Sequence, residues 1–69
     1  MGAFRRVLLR RRVVVNLTDG SCIEGVLYSD PGQLLVLKNA TYLEPGAEPV
    51  PLDGDTVIER ARVLFVQAP

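Results

Sequence analysis

The sequence contains no histidine, no tryptophan and a single cysteine, Cys22, among its 69 residues. One thiol cannot form an intrachain disulfide, which favours a reducing, cytoplasmic location, and one thiol without imidazole cannot supply a zinc site. Asp53-Gly54-Asp55 is typical of a turn, since a calcium loop needs more oxygen ligands. Without histidine, acid–base catalysis would depend on carboxylates or Lys38, and no clustered pair is evident. The sequence therefore predicts a protein that is not an enzyme and uses no metal, cofactor or small-molecule substrate.

Long apolar runs are also missing. Val7-Leu8-Leu9 is interrupted at once by Arg10-Arg11-Arg12, so we expect neither a secretory signal nor a membrane span. Yet 48% of the residues are hydrophobic, although a chain of this length buries only about 60% of its unfolded surface on folding. With disulfides and metals excluded, oligomerisation remains as the usual means of stabilisation. We expect a homo-oligomer or a chain that docks on another protein.

The charges sum to zero but are segregated along the chain. Between Asp19 and Glu59 every charged residue is acidic except Lys38, whereas arginines dominate the two flanks. The flanking arginines are Arg5, Arg6, Arg10, Arg11, Arg12, Arg60 and Arg62. Such arginines contact either nucleic-acid phosphates or an acidic protein surface, and the sequence leaves both open. Among the aromatic residues, Tyr42 is the one predicted to join them in a surface contact with a partner.

A period of two from Arg10 onward predicts strands. Val13, Val15 and Leu17 share one face of the first strand, and Asp19-Gly20 then signals a hairpin. Gly25, in the middle of the second strand, indicates a bulge or bend. The further predicted elements are a strand at 33–43, a loop at 44–51, a strand at 52–59 with an interrupted start, a corner at 60–61 and a strand at 62–67. Residues 2–9 form either a short helical turn or an early start of the first strand. We thus expect one domain, 1–69, with a basic arm at 1–9 and barrel strands within 10–67.

Three stretches together resemble the Sm and Sm-like (Lsm) family. VVVNLTDGSCIEGVL at 13–27 is similar to the family's first motif, and LVLKNA at 35–40 continues it. GDTVIERARV at 54–63 resembles the second motif, and VLFV at 63–66 its final strand. The resemblance implies an all-β fold, a small, strongly bent, five-stranded barrel of SH3 type, with or without a short N-terminal helix. It also implies that the fourth strand of one subunit pairs with the fifth strand of the next in a ring of about five to seven copies. The implied interface residues are Val57, Ile58, Val63, Leu64, Phe65 and Val66.

The family's RNA site maps poorly onto this sequence. Asp30 fills the position of the family's aspartate, but the base-reading asparagine falls on Leu34. The arginine of the second motif falls on Glu59 and its glycine on Arg60. A leucine cannot hydrogen-bond a base edge and a glutamate repels phosphate, while alternation along a strand would turn Arg60 to the opposite face. The resemblance thus implies the fold without the usual uridine pocket.

Two functions remain open. The first is a structural or assembly module that forms a ring or docks through its edge strands, with a phage virion as one setting that would suit it. The second is an RNA-binding ring that uses the N-terminal arginines, with Arg60 or Arg62, in place of the pocket. Salt separates the two, because arginine–phosphate binding weakens steeply as salt rises and apolar assembly does not.

Overall fold

The computed structural model describes residues 10–69. The strands are β1 (Arg12–Leu17), β2 (Cys22–Ser29), β3 (Leu34–Leu43), β4 (Val50–Pro51), β5 (Thr56–Glu59) and β6 (Val63–Gln67), and a 3-10 turn (Arg60–Arg62) joins the last two. No α-helix occurs between residues 10 and 69. The helical turn predicted for residues 2–9 lies outside the described residues.

All six strands belong to one antiparallel sheet. Its order is β4-β3-β2-β1-β6, and β5 also pairs with β3. β3 is the longest strand: its beginning pairs with β5 and its end with β4, so it spans the bend of the sheet. The predicted all-β, strongly bent architecture is confirmed.

The bend occurs where Gly25 lies against β3. Glu24 and Val26 of β2 face Thr41 and Lys38, so β3 carries one extra residue at this point. A Cβ on Gly25 would lie 3.0 Å from the Lys38 carbonyl oxygen. A side chain here would therefore separate the two strands, and the bulge predicted from Gly25 is confirmed.

The core lies on the concave face of the sheet. β1 alternates as predicted, with Val13 and Val15 fully buried, and the hairpin turn has Gly20 at φ 94°. The buried apolar set is Val13, Val15, Ile23, Leu27, Leu35, Leu37, Ala40 and Ile58. The other side chains of β3 remain exposed or half-buried, so its apolar run is buried on one face only.

The segment between β3 and β5 differs from the sequence prediction at two points. Val50 and Pro51, predicted as loop, form β4 by pairing with Tyr42 and Thr41. A proline is tolerated there because an edge strand need not donate its N–H to a further strand. The following strand begins at Thr56 rather than at residue 52, because Gly54 turns the chain with φ 71°.

Candidate functional site

β5 and β6 each leave one edge of the sheet open, as does the two-residue strand β4. Within residues 10–69, β5 pairs only with β3 and β6 only with β1, so one side of each strand has no neighbour. Three apolar side chains on these strands are exposed: Val57 by 57%, Leu64 by 64% and Phe65 by 49%. Leu64 is the extra residue of a bulge, since Asn16 pairs with Phe65 and the next residue of β1 with Val63. Exposed apolar edges of this kind readily pair with another chain.

The six predicted interface residues divide into two groups. Val57, Leu64 and Phe65 are exposed, as an interface requires. Ile58 lies in the core, and Val63 and Val66 pack half-buried against it. The second group therefore packs on the core side of the strands, while the first group faces solvent.

A cavity of about 350 Å³ opens between β5 and the β1–β2 hairpin. Leu17, Ile23, Val57 and Ile58 give it an apolar wall, and the remaining lining residues are Thr18, Asp19, Glu59 and Arg62. Its wall includes exposed Val57, so the cavity is continuous with the open edge of β5.

Asp19, at the rim of this cavity, is held by Ser21. The Ser21 hydroxyl donates a hydrogen bond of 2.6 Å to Asp19 Oδ1, and the Ser21 N–H donates another of 3.0 Å. Both bonds favour the carboxylate, the hydroxyl most strongly, and together with the nearby Arg62 they lower the pKa of Asp19. The rim is therefore anionic at neutral pH.

The β2–β3 loop is tied to the start of the 3-10 turn through Arg60. Its guanidinium Nη2 lies 3.3 Å from Oδ2 of Asp30, whose side chain is fully buried, and its Nε donates to the Gly32 carbonyl oxygen at 3.3 Å. Its backbone N–H donates to the Gln33 carbonyl oxygen at 2.7 Å. Because Arg60 follows the last residue of β5, strand alternation does not determine where its side chain points.

The family's base-reading positions meet beside this loop. Leu34 and Glu59 are direct cross-strand partners, and both are exposed. The Glu59 carboxylate lies 3.9 Å from the Arg62 guanidinium. The leucine offers no hydrogen-bond donor or acceptor and the glutamate repels phosphate, so this pair cannot replace the asparagine and arginine of the family's site.

The predicted arginines are spread over different surfaces. Arg5 and Arg6 lie outside the described residues. Arg10, Arg11 and Arg12 are exposed where the chain enters β1. Arg60 is engaged by the β2–β3 loop, and Arg62 lies on the far side near the hairpin turn, its carbonyl oxygen accepting from Thr18 N–H at 2.9 Å. Arg10, Arg11 and Arg12 thus form one exposed stretch, whereas Arg60 contacts the β2–β3 loop and Arg62 lies beside the hairpin turn.

Tyr28 is the exposed aromatic residue that the sequence analysis missed. Tyr42 is half-buried and packs against the core, whereas Tyr28 is 44% exposed. Lys38 Nζ lies 4.2 Å and Arg10 Cζ 5.6 Å from the centre of the Tyr28 ring. Alternation from Glu24 through Tyr28 placed the ring on the outer face, and that signal was available in the sequence.

Neither a metal centre nor a membrane helix is found in the part of the chain that the structure describes. Residues 10–69 contain no group of three or more histidine, cysteine, aspartate or glutamate side chains able to hold a metal ion. They also contain no helix long and apolar enough to span a bilayer.

The fold closely matches solved Sm proteins. A heptameric archaeal Sm protein superposes with a TM-score of 0.84 and 28% identity, over 99% of this chain and 98% of that one. The chain therefore has the Sm-like fold. The heptameric Sm protein of Pyrobaculum aerophilum matches all of the Sm-like chain and 92% of its own length, with a TM-score of 0.85 and 27% identity. An Lsm protein of Methanococcus vannielii shares the fold at a TM-score of 0.72 and 24% identity, over 96% of this chain and 88% of its own. No protein-family model and no curated sequence matches the Sm-like chain.

Proposed function

We propose that this Sm-like chain is a structural assembly module, without chemistry of its own, that forms a closed ring through its edge strands. The observation that carries the proposal is the pair of open edges, β5 and β6, with exposed apolar side chains on both. The strands are matched in length, four residues in β5 and five in β6. The two most similar Sm proteins described above are heptamers, which supports the same mode of assembly here.

The two edges are different surfaces, so their pairing is head-to-tail. A head-to-tail contact repeats from copy to copy and closes into a ring when its rotation divides a full turn. Each junction would pair one β5 with one β6 and cover Val57, Leu64 and Phe65. Complete burial of a fully exposed apolar side chain of this size contributes about 1.5–3 kcal/mol, and these side chains, already about half-buried, would gain roughly half of that. Assembly would also remove both edges from solvent, which resolves the aggregation hazard they create.

A matched pair of valines tests this proposal. Val57 on β5 and Val50 on β4 are exposed by similar fractions, 57% and 50%. A lysine blocks strand addition when it is placed on an edge. We expect Val57→Lys to convert the ring to monomers, and Val50→Lys to leave it intact, when both are measured by sedimentation velocity after nuclease treatment. Intact rings in Val57→Lys, or equal dissociation of both variants, would contradict pairing through β5.

The second candidate is a ring that binds RNA through the N-terminal arginines. It is supported by the grouping of Arg10, Arg11 and Arg12 on one exposed stretch. Binding by these residues should weaken steeply with salt, while the ring itself should not. A cytoplasmic location and a place in a phage virion stay predictions.

A further inference from the structure

We propose that Arg60 is a positioning residue that fixes the number of copies in the ring. It acts through the 3-10 turn (Arg60–Arg62), which joins the two edge strands β5 and β6. Its side chain and backbone connect that turn to the β2–β3 loop, residues 30–33. The inference rests on the ring proposed above and deepens it, because it names what decides where the ring closes. In the family's second motif a glycine occupies this position, so the resemblance does not imply this role.

The orientation of β5 relative to β6 within one copy determines how many copies close a ring. Each junction pairs β5 of one copy with β6 of the next, so a change in the angle between these strands changes the rotation from one copy to the next. In a closed ring this rotation is a full turn divided by the number of copies. Rings of six and seven copies therefore differ by only about 9° in this rotation, and a small movement at the connection between the strands suffices to change the copy number.

This connection has little support of its own. β5 is held by β3 and β6 by β1, and within residues 10–69 the two strands do not pair with each other. The turn that joins them has no buried residue, and its N-cap, Glu59, makes no side-chain capping hydrogen bond. The hydrogen-bond geometry of a 3-10 segment is also poorer than that of an α-helix. The angle between the strands therefore depends on contacts that the turn makes with other parts of the chain.

Arg60 supplies three such contacts, all with the β2–β3 loop. Its guanidinium Nη2 lies 3.3 Å from Oδ2 of Asp30, and its Nε donates to the Gly32 carbonyl oxygen at 3.3 Å. Its backbone N–H donates to the Gln33 carbonyl oxygen at 2.7 Å. The Asp30 side chain is fully buried and that of Arg60 is 22% exposed, so solvent screens this ion pair less than an exposed one. Because the guanidinium is planar and rigid, contacts at two of its nitrogens fix its direction, and the backbone contact fixes the start of the turn.

The other end of the turn is held through its backbone. The Arg62 carbonyl oxygen accepts a hydrogen bond of 2.9 Å from Thr18 N–H. The Arg62 side chain lies 3.9 Å from the Glu59 carboxylate, and both side chains are exposed. Exposed pairs of this type contribute little. Arg62 carries the same charge on the same turn, but its side-chain partner belongs to β5 instead of the β2–β3 loop, so it is the matched control for Arg60.

Native mass spectrometry of the nuclease-treated full chain measures the copy number. The original chain and Arg62→Ala should each give one ring size. In Arg60→Ala, a ring one copy larger or smaller should rise about tenfold or more in population, the shift expected from loss of one hydrogen bond to a charged group. Asp30→Asn should change the population in the same direction, because it removes the charge from the partner of Arg60. A merely stabilising role would weaken the fold and leave the ring size unchanged.

Circular dichroism shows which of these variants fold. Arg60→Lys keeps a cation near Asp30 but loses the planar fork, so it should give an intermediate population, and it decides the question if Arg60→Ala does not fold. The inference is overturned if the folded Arg60 variants keep the single ring size of the original chain, or if Arg62→Ala mixes ring sizes equally. A monomeric original chain would overturn the proposed ring itself, and this inference with it. Failure of the inference alone is therefore distinguishable from failure of the ring.

Discussion

Replacement of Gly25 by alanine tests how closely β2 and β3 approach at the bend. The new Cβ would lie 3.0 Å from the Lys38 carbonyl oxygen, 3.1 Å from Ala40 Cα and 3.2 Å from Ala40 Cβ. Two of these atoms belong to the backbone, so the contact cannot be relieved by a side-chain rotation. β3 must move by a few tenths of an ångström, at the point where it already carries an extra residue.

The expected magnitude is the difference of two opposing effects. Overpacking of a well-packed region destabilises by about 1–3 kcal/mol. Loss of glycine's freedom in the unfolded chain offsets about 0.4–1 kcal/mol of this. We therefore expect Gly25→Ala to lower the free energy of unfolding by about 1–2 kcal/mol. For a domain of this length, that corresponds to a fall in Tm of about 4–16 °C.

Thermal and urea unfolding followed by circular dichroism would measure this change. The protomer concentration must be held fixed, since the stability of an oligomer depends on it. The double variant Gly25→Ala/Ala40→Gly should lose less stability than the sum of the single variants, because it removes one of the three close contacts. A Gly25→Ala protein as stable as the original chain would show that the strands do not approach as described.

Two further predictions concern the loops. Arg60→Ala should lower the free energy of unfolding by about 1–3 kcal/mol, because it withdraws a charged hydrogen-bond donor from buried Asp30. Arg62 belongs to an exposed ion pair, so Arg62→Ala should change the free energy of unfolding by less than about 0.5 kcal/mol. Equal effects of the two variants in urea unfolding would contradict this difference. Ser21→Ala should raise the pKa of Asp19 toward its ordinary value in a carboxyl NMR titration, and an unchanged titration would refute the assignment of the hydroxyl as the main cause. Because the pKa of Asp19 is lowered on folding, its contribution to stability is full above the unfolded pKa and is lost as the pH falls through the folded pKa. Ser21→Ala should therefore reduce that acid-side loss.

Local chemistry explains which parts of the fold could be predicted from the sequence. The hairpin depends on the positive φ of Gly20 and the bend on the absence of a side chain at Gly25, and both were correctly placed. β4 was missed because Val50 and Pro51 become a strand only through the curvature of β3, which no local pattern encodes.

The site was less predictable for a related reason. Arg60 and Asp30 are 30 residues apart, and their ion pair depends on the pairing of β3 with β5, which no local pattern in the sequence specifies. The contacts of Tyr28 with Lys38 and Arg10 depend on a bulge in β2 and on the register that brings β3 beside it. None of these can be derived from composition or periodicity alone, although the outward direction of Tyr28 could be.

Native mass spectrometry of the nuclease-treated, full-length chain tests the proposed assembly most directly. Pairing of β5 with β6 predicts a single closed species of fixed copy number, about five to seven, that persists as salt is raised. A monomer at every protein concentration, or an open ladder of sizes, would contradict the closed ring.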